Sequence, residues 1–449
     1  MDGMRQSLNI AVIGTGIAGM SAAWLLNQGH RLTIYEKEPR PGGHSNTVTV
    51  PGPKGPVAVD TGFIVYNTLT YPNLTALFAH LGVPTKVSKM SFAASLQGGG
   101  LEYAGPDLNG LLGQRRNIFR PRFWRMISEL MRFYETAPSF LSEPDAASLT
   151  LGDYLAREGY GEEFINGHLL PMGAAIWSTT PPDMLAYPAC AFIGFFKSHG
   201  LLLLRDRPQW RTVDGGSREY VTRLTASYAD RIRYTGVHSI RRTAAGVIVE
   251  DRSGRLEHYD HVVIATHADE ALGLLEDADR LEQHYLGQWC YTRNTAVLHC
   301  DPILMPKRRK VWASWNFIEE NSPPEASHKR LCVTYWMNSL QGLPPEHPLF
   351  VTLNPVIEPF LGSVYHRVEY THPRFDAGAL RSQQHLWSLQ GRRNTWFCGS
   401  YFGHGFHEDA LQAGLAVAEQ LGGVRRPWQV AGESDRICLE PMARLEAAA

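Results

Sequence analysis

The fold is decided by AVIGTGIAGMSAAW, residues 11–24, which lies close to the start of the chain. Its apolar opening is typical of a short buried parallel strand, and its alanine-rich continuation predicts a helix. Between them the sequence places glycines at positions 14, 16 and 19. Such glycines permit a tight turn, a close approach of the backbone to a pyrophosphate, and close packing of the helix on the strand.

A second strand, RLTIYEK at 31–37, follows this helix and contains Glu36 close to its end. A carboxylate here can accept hydrogen bonds from ribose hydroxyls, while the free N–H groups at the helix N-terminus attract phosphates. The order of strand, glycine turn, helix, strand and acid predicts a dinucleotide site on a Rossmann-type fold. The alternative is a tight turn between strand and helix that binds no ligand.

Another glycine turn lies near the other end of the chain, in FCGSYFGHGFHEDALQAG at 397–414. It also leads into a helical segment, which we expect to begin near His407. His404 and His407 have no acidic partner at metal-ligand spacing. The pattern therefore favours a loop that faces a cofactor, and it predicts no metal site.

With these motifs the chain resembles the flavin-containing amine oxidoreductase superfamily, which includes amine oxidases, phytoene-type desaturases and protoporphyrinogen oxidases. Gly42 and Gly43 follow Glu36 as the glycine pair of the family does, although His44 stands where the family typically has arginine. The stretch VDTGFIVYN at 59–67 resembles the next strand of the family. The resemblance implies one FAD that is held by both ends of the chain.

The resemblance also implies that FAD is bound without a covalent link, because no cysteine lies between Cys332 and Cys398, where covalently flavinylated relatives carry theirs. The residues that it assigns to the cofactor are Gly14, Gly16, Ala18, Gly19, Glu36, Lys37, Gly43, His44, Ser45, Gly62, Phe63, Val237, Gly399, Phe406, His407 and Glu408. The motifs identify no general base. The catalytic candidates are Phe406, His407 and Lys310, the last because amine-oxidase relatives often hold a water at the flavin with a lysine.

The predicted fold class is α/β, with a Rossmann-type FAD-binding domain interleaved with a substrate domain of mixed sheet and helices. The FAD-binding domain gathers residues 1–75, 205–275 and 390–428, and the substrate domain gathers residues 76–204 and 276–389. We expect residues 429–449 to form a marginally ordered or disordered tail. The active site is expected where the two domains meet.

The composition, with 44% hydrophobic and 19% charged residues, is that of an ordinary globular protein. A formal net charge of -1 provides no basic field for phosphates, which argues against a nucleic-acid partner. Six scattered cysteines without a CxxC pair suit reduced thiols. The sequence shows neither a signal-peptide pattern nor an apolar run long enough to span a bilayer, so we expect a cytoplasmic protein.

Several stretches, among them WRTVDGGSREYV at 210–221, resemble a bacterial subgroup of the superfamily. Members of this subgroup are often encoded beside methyltransferases similar to cyclopropane-fatty-acid synthase. The resemblance implies a hydrophobic or lipid substrate and hydride removal from a fatty-acyl chain, with Phe406 where amine oxidases usually carry tyrosine. Two alternatives stay open, namely an amine oxidase that produces hydrogen peroxide and a redox-neutral flavin-dependent isomerase.

The segment GQRRNIFRPRFWRMISELMRFY at 113–134 is both basic and aromatic. Its six arginines are opposed only by Glu129, and Ile118, Phe119, Phe123, Trp124 and Ile127 are interleaved with them. Such a segment can lie on an anionic membrane surface, which would place the protein peripherally on the inner membrane. The alternative is a solvated arginine face on a helix that packs within the substrate domain.

Overall fold

The strand Asn9–Ile13 lies at the centre of a five-stranded sheet in the computed structural model, which describes residues 7–105, 107–146, 148–177, 181–320, 331–422 and 424–439. From edge to edge the strands are Ile232–Arg233, Arg31–Tyr35, Asn9–Ile13, His261–Ile264 and Thr395–Phe397. Every pairing in this sheet is parallel. The sheet therefore joins the beginning, the middle and the end of the chain.

The helices that follow the two glycine turns, Ile17–Leu26 and His407–Gly422, pack against each other. Nine of the ten residues in Ile17–Leu26 are buried, which explains why this helix is apolar on every side. At the contact, a Cβ on Gly414 would overlap the carbonyl oxygen of Ala18. The absence of a side chain at Gly414 thus allows the two helices to approach this closely.

A three-stranded antiparallel sheet of Val237–Thr243, Gly246–Asp251 and Leu256–Tyr259 leads directly into the parallel strand His261–Ile264. This sheet returns the chain to the parallel sheet that contains Asn9–Ile13. Two smaller sheets pair Thr47–Val50 with Val57–Asp60, and Trp210–Val213 with both Tyr66–Asn67 and Thr85–Val87.

The second large sheet has seven strands and is mixed. In spatial order they are Val364–Pro373, Tyr291–His299, Phe350–Leu353, Leu331–Trp336, Trp315–Glu319, Phe92–Leu96 and Leu101–Ala104. Only Trp315–Glu319 and Phe92–Leu96 pair in parallel. The predicted α/β class, with a Rossmann-type sheet interleaved with a mixed-sheet part, is confirmed. The residues at which each domain begins and ends stay a prediction.

The α-helices occur along the whole described part of the chain. In chain order the α-helices are Ile17–Leu26, Pro72–His80, Leu108–Leu111, Pro121–Phe140, Leu151–Arg157, Glu162–Phe164, Leu170–Trp177, Pro181–Leu185, Ala189–Ser198, Arg218–Thr225, Ala268–Leu274, Arg280–Leu286, Met337–Leu340, Ala377–Gln383 and His407–Gly422. A π-helical turn at Ile165–Leu169 precedes Leu170–Trp177. The described residues contain no helix that is both long and apolar enough to cross a membrane.

Short 3₁₀ turns complete the connections. They are Gln97–Gly99, Arg115–Phe119, Ala229–Arg231, Pro302–Leu304, Arg309–Val311, Leu361–Ser363, Leu386–Leu389, Arg392–Asn394 and Ser400–Phe402. The turn Arg115–Phe119 leads into the long helix Pro121–Phe140. The basic and aromatic segment at 113–134 is therefore a turn followed by most of this helix.

A buried carboxylate, Asp60, ties the parts of the molecule together. It accepts hydrogen bonds from the backbone N–H and hydroxyl of Ser217, from the hydroxyl of Thr47, and from the Gln341 amide. Ser217 lies at the start of the helix Arg218–Thr225, and Gln341 follows the helix Met337–Leu340 of the mixed-sheet part. Asp60 therefore caps a turn and a helix, and it does not line the central cavity described below.

The described part of the predicted tail is packed on the molecule rather than disordered. Ile437 is buried, and Arg436 forms an ion pair of 3.2 Å with Asp409 and donates to the carbonyl of Thr70. These contacts join residues 431–439 to the last helix. The remaining tail residues, 440–449, lie outside the described part of the chain.

We expect Gly414→Ala to destabilise the protein, because the added methyl group must push the two helices apart. Overpacking of this kind costs on the order of 1–3 kcal/mol. The measurement is urea unfolding followed by circular dichroism. Gly273→Ala is the matched control, since it lies in the helix Ala268–Leu274 and its added Cβ meets no atom within 4 Å. Equal stability of the two variants would contradict the packing argument.

Candidate functional site

A cavity of about 1130 Å³ lies between the carboxyl ends of the parallel strands and one face of the mixed sheet. Gly14, Ala265 and Gly399 line it where parallel strands end, whereas Trp315 and Tyr335 line it from the mixed sheet. This volume exceeds the roughly 300–1,000 Å³ of a pocket for one small ligand. The cavity can therefore hold a cofactor together with a substrate.

The first glycine turn forms one end of the cavity. Gly14 has φ +96°, a left-handed conformation that side chains disfavour, and a Cβ on Gly19 would overlap the carbonyl oxygen of Gly14. A Cβ on Gly16, in contrast, would meet no protein atom within 4 Å. Gly16 and Ala18 line the cavity, whereas Gly19 does not and acts only in packing. The open space above Gly16 fits a bound pyrophosphate.

Glu36 lies beside this turn and is buried at the cavity wall. Its carboxylate accepts hydrogen bonds from the backbone N–H and hydroxyl of Thr15 and, at 2.9 Å, from the N–H of Glu38. Lys37 also lines the cavity and forms an ion pair of 2.7 Å with Glu270. Val237 lines the same cavity. These groups provide the polar wall that a ribose and an adenine require.

The second glycine turn is held in place by Arg40, which the sequence motifs did not single out. Its guanidinium donates to the carbonyl of Gly43 at 2.9 Å and to that of Ser45 at 3.2 Å. The N–H of Gly42 donates to the carbonyl of Thr15 at 3.0 Å. The two glycine turns therefore form one continuous wall of the cavity. Arg40 lies in PRPGG at 39–43. Its position beside the glycine pair is the sequence feature that could have indicated its role in holding this turn.

His44, Gly62, Phe63 and His407 come together at the middle of the cavity. A Cβ on Gly62 would overlap the carbonyl oxygen of His44, so this position needs glycine. Phe63 stacks on His407, with ring centroids 3.9 Å apart, and the Tyr220 hydroxyl lies 2.8 Å from the Nε2 of His407. Burial lowers the pKa of His407 to about 3, so this imidazole is neutral at pH 7.

Two further histidines, which sequence reasoning missed, surround His44. The ring of His44 lies 5.6 Å from that of His372 and 6.3 Å from that of His267. Burial and then the neighbouring His267 lower the pKa of His372 to about 4, and burial also lowers the pKa values of His44 and His267. These side chains come from distant strands and loops, so no sequence spacing could have indicated the cluster.

The turn at 397–414 forms the opposite wall. Gly399, Phe406 and His407 all line the cavity, as the resemblance implied. The ring of Phe406 stacks on Phe195, with centroids 4.8 Å apart and an interplanar angle of 20°. The backbone N–H of Phe406 donates to Asp409 at 2.7 Å, which caps the last helix. Phe406 is therefore an aromatic wall that stacks on Phe195, and its ring lies 5.9 Å from that of His199.

Beyond Phe406 the cavity is lined chiefly by apolar and aromatic side chains. They include Met90, Phe92, Met172, Ile176, Trp210, Trp315 and Leu353. We call this region the apolar end. Among the described residues that line the cavity, the acidic side chains are Glu36, Glu38, Glu270 and Glu369. Glu369 belongs to the same mixed sheet as Leu353, and its carboxylate accepts from the hydroxyl of Thr295.

His199 is the basic group nearest to the Phe195 and Phe406 wall. Its ring stacks on Phe195 with centroids 3.8 Å apart, and it lines the cavity. Its Nδ1 lies 3.0 Å from the carbonyl oxygen of Phe195, which can only accept, so Nδ1 carries the proton and Nε2 the lone pair. This Nε2 has no hydrogen-bond partner among the described residues. Burial lowers the pKa of His199 to about 3.

Besides Gly19, three residues of the predicted site do not line the cavity. Glu408 points away from the cavity and caps the helix Pro72–His80, since its carboxylate accepts from the backbone N–H groups of Asn73 and Leu74. Ser45 is buried behind the wall, where its hydroxyl bonds to that of Tyr220. Lys310 lines a separate pocket of about 410 Å³ and does not reach the main cavity.

The described residues contain no group of three or more histidine, cysteine, aspartate or glutamate side chains arranged to hold a metal ion. His404 and His407 both line the main cavity. Their placement agrees with the expectation of a loop that faces a cofactor.

Comparisons with known proteins agree with this geometry. The chain is 26% identical over 260 residues to a protein named flavin-containing monoamine oxidase AofH from Mycobacterium tuberculosis, a match that covers 56% of this chain and 55% of that protein. It is 28% identical over 264 residues to phytoene dehydrogenase from Streptomyces griseus, covering 50% of each chain. The matches thus span about half the length of these curated relatives.

Solved structures share the fold over nearly the whole chain. Cyclohexylamine oxidase from Brevibacterium oxydans superposes with a TM-score of 0.64 at 18% identity, covering 93% of this chain and 100% of that one. A CLA-producing fatty acid isomerase from P. acnes superposes with a TM-score of 0.62 at 16% identity, covering 94% and 99%.

The model of one protein family, described as flavin containing amine oxidoreductase, matches residues 17–422. This range runs from the helix after the first glycine turn to the end of the last helix. It begins just after Gly14 and Gly16 and includes the glycine pair at 42–43, the mixed sheet and the turn at 397–414, and it implies a flavin as the cofactor. The chain therefore belongs to the flavin-containing amine oxidoreductase family.

Proposed function

We propose that the protein is an FAD-dependent oxidoreductase that desaturates a fatty-acyl chain, methylated or otherwise modified, within a lipid. The observation that carries this proposal is the set of aliphatic and aromatic side chains at the apolar end, together with the Phe195 and Phe406 wall. A hydrocarbon chain gains free energy by entering such a space, whereas a cationic amine would lose its hydration.

Residues at the polar end fit the FAD. The free space at Gly16 suits the pyrophosphate, Glu36 suits the ribose, and Val237 suits the adenine. The His44, Phe63 and His407 group lies where the polar and apolar ends meet, which suits the flavin ring. Buried thiols do not favour a covalent link, because burial raises the pKa of Cys398 and that residue does not line the cavity. We therefore propose non-covalent FAD.

One of the comparisons supports the substrate class. A solved structure with the same fold is that of a fatty acid isomerase, which supports an acyl chain as the substrate here. Amine oxidases share the fold equally well, so the fold alone does not separate the two substrates. The phenyl ring of Phe406 and its stacking on Phe195 favour the hydrocarbon, although aromatic rings also bind cations.

In the proposed reaction the substrate loses a hydride and a proton from adjacent carbons, and the bond between them becomes double. The bound flavin supplies the hydride acceptor. Two electrons then pass to an external acceptor, which is oxygen, a quinone or an electron carrier. The chain contributes orientation and a water-poor pocket through the aromatic and aliphatic side chains of the apolar end.

In this proposal the proton is released to water. His199 stacks on Phe195 as a neutral ring, since burial lowers its pKa to about 3. Its Nε2 has no hydrogen-bond partner among the described residues, but this atom is buried and closed to the substrate. His199 therefore shapes the apolar wall.

Gly16→Val should give a folded protein that lacks flavin, because the valine side chain would occupy the space assigned to the pyrophosphate. The φ of −61° at Gly16 is accessible to valine. The measurement is the absorbance of the purified protein near 450 nm, together with its melting temperature. In the wild type, acid precipitation should release yellow FAD into the supernatant, and colour retained in the pellet would exclude non-covalent binding.

Gly29→Val is the matched control for this variant. A Cβ on Gly29 also meets no atom within 4 Å, but Gly29 does not line the cavity. This control should keep its full flavin content. Full flavin occupancy in Gly16→Val would show that the site has been misplaced.

The substrate is tested by mixing the oxidised protein anaerobically with phospholipids that carry methylated or cyclopropane-containing acyl chains, and separately with mono- and polyamines. We expect the lipid to bleach the flavin and the product to be lighter by two hydrogens. Rapid bleaching by an amine, with peroxide released in air, would establish the amine oxidase instead. A shifted double bond without change of mass would establish the isomerase.

A further inference from the structure

The turn Arg115–Phe119 and the following helix carry large apolar side chains on the protein surface. Phe119 is 85% exposed, and Ile118 and Trp124 are 43% and 44% exposed. The indole N–H of Trp124 donates to the carbonyl of Ile118 at 2.9 Å, so the ring covers the turn and holds it in place. These side chains form a fixed protrusion rather than a disordered loop. We call the group of Ile118, Phe119 and Trp124 the apolar knob.

The other apolar residues of the helix Pro121–Phe140 lie on its inner side. Phe123, Met126 and Phe133 are buried, and Phe123 contacts the ring of Tyr103. The helix Pro121–Phe140 is therefore amphipathic with an occupied inner face. The knob lies on the remaining surface, so core packing does not explain it.

Arginines surround the knob. Arg115, Arg122 and Arg125 are exposed, and Arg116 and Arg120 both donate to the carbonyl of Gly100, at 2.7 and 2.9 Å. This shared acceptor brings two guanidinium groups together. Partial burial, followed by repulsion from Arg116 and Arg308, lowers the pKa of Arg120. The positive charges are therefore close enough to repel one another.

Acidic side chains balance this charge only in part. Glu163 lies 3.8 Å from Arg122 and 3.7 Å from Arg125, which are loose contacts at exposed positions. Glu129 faces inward and accepts from the N–H of Gly161 at 2.8 Å. Glu102 is buried and pairs with Arg308. The surface around the knob therefore keeps a net positive charge.

The cavity reaches solvent close to the same helix. Arg207 lines the cavity and is itself exposed, and its Nε donates to the carbonyl of Leu203 at 2.6 Å. Leu203 and Leu204 are exposed apolar residues beside this opening. The helix Ala189–Ser198, which precedes this segment, packs against the helix Pro121–Phe140. The opening at Arg207 and the knob are therefore both associated with the helix Pro121–Phe140.

A short chain of contacts also joins the inner face of that helix to the apolar end. Phe123 contacts Tyr103, whose hydroxyl lies 2.9 Å from the Nδ1 of His168. The ring of His168 meets that of Phe92, which lines the cavity. Two side chains, Tyr103 and His168, thus connect Phe123 of the helix to Phe92 at the apolar end.

We propose that the apolar knob, its arginines and the Leu203–Leu204 loop dock the protein on an anionic phospholipid bilayer. This surface would place the opening at Arg207 against the lipid that contains the substrate. The charge argues against a second copy of the chain as the partner, because a two-fold contact would bring the arginines of one copy against those of the other. The exposed phenyl and indole groups suit the headgroup region of a bilayer.

This inference deepens the proposed function but is tested without turnover. Flavin-loaded protein is floated with vesicles of phosphatidylglycerol and phosphatidylcholine, or of phosphatidylcholine alone, at low and high salt. We expect binding to the anionic vesicles that weakens as salt screens the arginines. Equal binding to both vesicle types, or no binding to either, would overturn the proposal.

Two variants probe the surface directly. Arg122→Glu/Arg125→Glu should reduce binding to anionic vesicles at least about tenfold, because two attractive charges become repulsive. Phe119→Ser should also weaken binding and should reduce the part that persists at high salt. Both sites are exposed, so the fold should be retained, and circular dichroism checks this point.

Matched controls come from exposed positions elsewhere. Phe360 is 74% exposed beside the turn Leu361–Ser363, and Arg241 is an exposed residue of the strand Val237–Thr243. Phe360→Ser and Arg241→Glu should bind vesicles as the wild type does. An equal loss of binding in the controls would show that total charge or total apolarity matters rather than this surface. A change of oligomeric state in Phe119→Ser would assign the knob to a contact between copies.

A second measurement separates docking from the proposed chemistry. Lipid dispersed in detergent micelles should be oxidised equally by the wild type and by Arg122→Glu/Arg125→Glu, whereas lipid in vesicles should be oxidised more slowly by the variant. Vesicle binding without any lipid oxidation would sustain the docking and reject the lipid substrate. Loss of micellar activity in the variant would contradict a role confined to docking.

Discussion

The helix Ile17–Leu26 is in close contact with backbone atoms on two sides, and the position of the glycine turns at both ends of the chain depends on these contacts. On one side Gly19 meets the carbonyl of Gly14, and on the other Gly414 meets the carbonyl of Ala18. Any side chain at Gly19 or Gly414 would overlap a carbonyl oxygen. Because the first and last helices lie this close together, the two glycine turns end at the same cavity.

The second constraint lies at the junction of the two sheets. Asp60 belongs to the two-stranded sheet of Thr47–Val50 and Val57–Asp60. It connects this sheet to the start of the helix Arg218–Thr225 and to Gln341 of the mixed-sheet part. Several hydrogen bonds to one buried carboxylate offset the cost of its desolvation. Burial raises the pKa of Asp60 to about 6, so this cost is only partly recovered. Asp60 itself does not line the cavity.

The two ends of the cavity differ in the chemistry that they can support. Glu36, Lys37 and Arg40 give the glycine-turn end charge and hydrogen-bonding capacity. The other end is apolar, and burial keeps its histidine, His199, neutral at pH 7. A reaction that moves a hydride needs both, namely a polar cradle for the cofactor and a dry region for the carbon that reacts.

Local backbone constraints made much of the fold predictable. Three local features each require a particular backbone conformation within a few residues. They are the glycine spacing at 14, 16 and 19, the strand that ends near Glu36, and the glycine turn at 397–414. From these features we predicted the parallel sheet and the segments that form two walls of the cavity. The resemblance carried by these motifs added the mixed sheet and the flavin.

Side-chain direction, in contrast, was decided by packing between distant segments. Glu408 follows the predicted ring-binding turn in sequence, yet it satisfies the N-terminus of the helix Pro72–His80. Lys310 belongs to another pocket, and His199, His267 and His372 reach the main cavity from elements that no spacing connects. The sequence by itself determined where the backbone turns, because glycine and alternating apolar residues act locally. Only the tertiary structure decided which side chains face the cavity, because that depends on which distant segments compete for each buried hydrogen bond and each apolar contact.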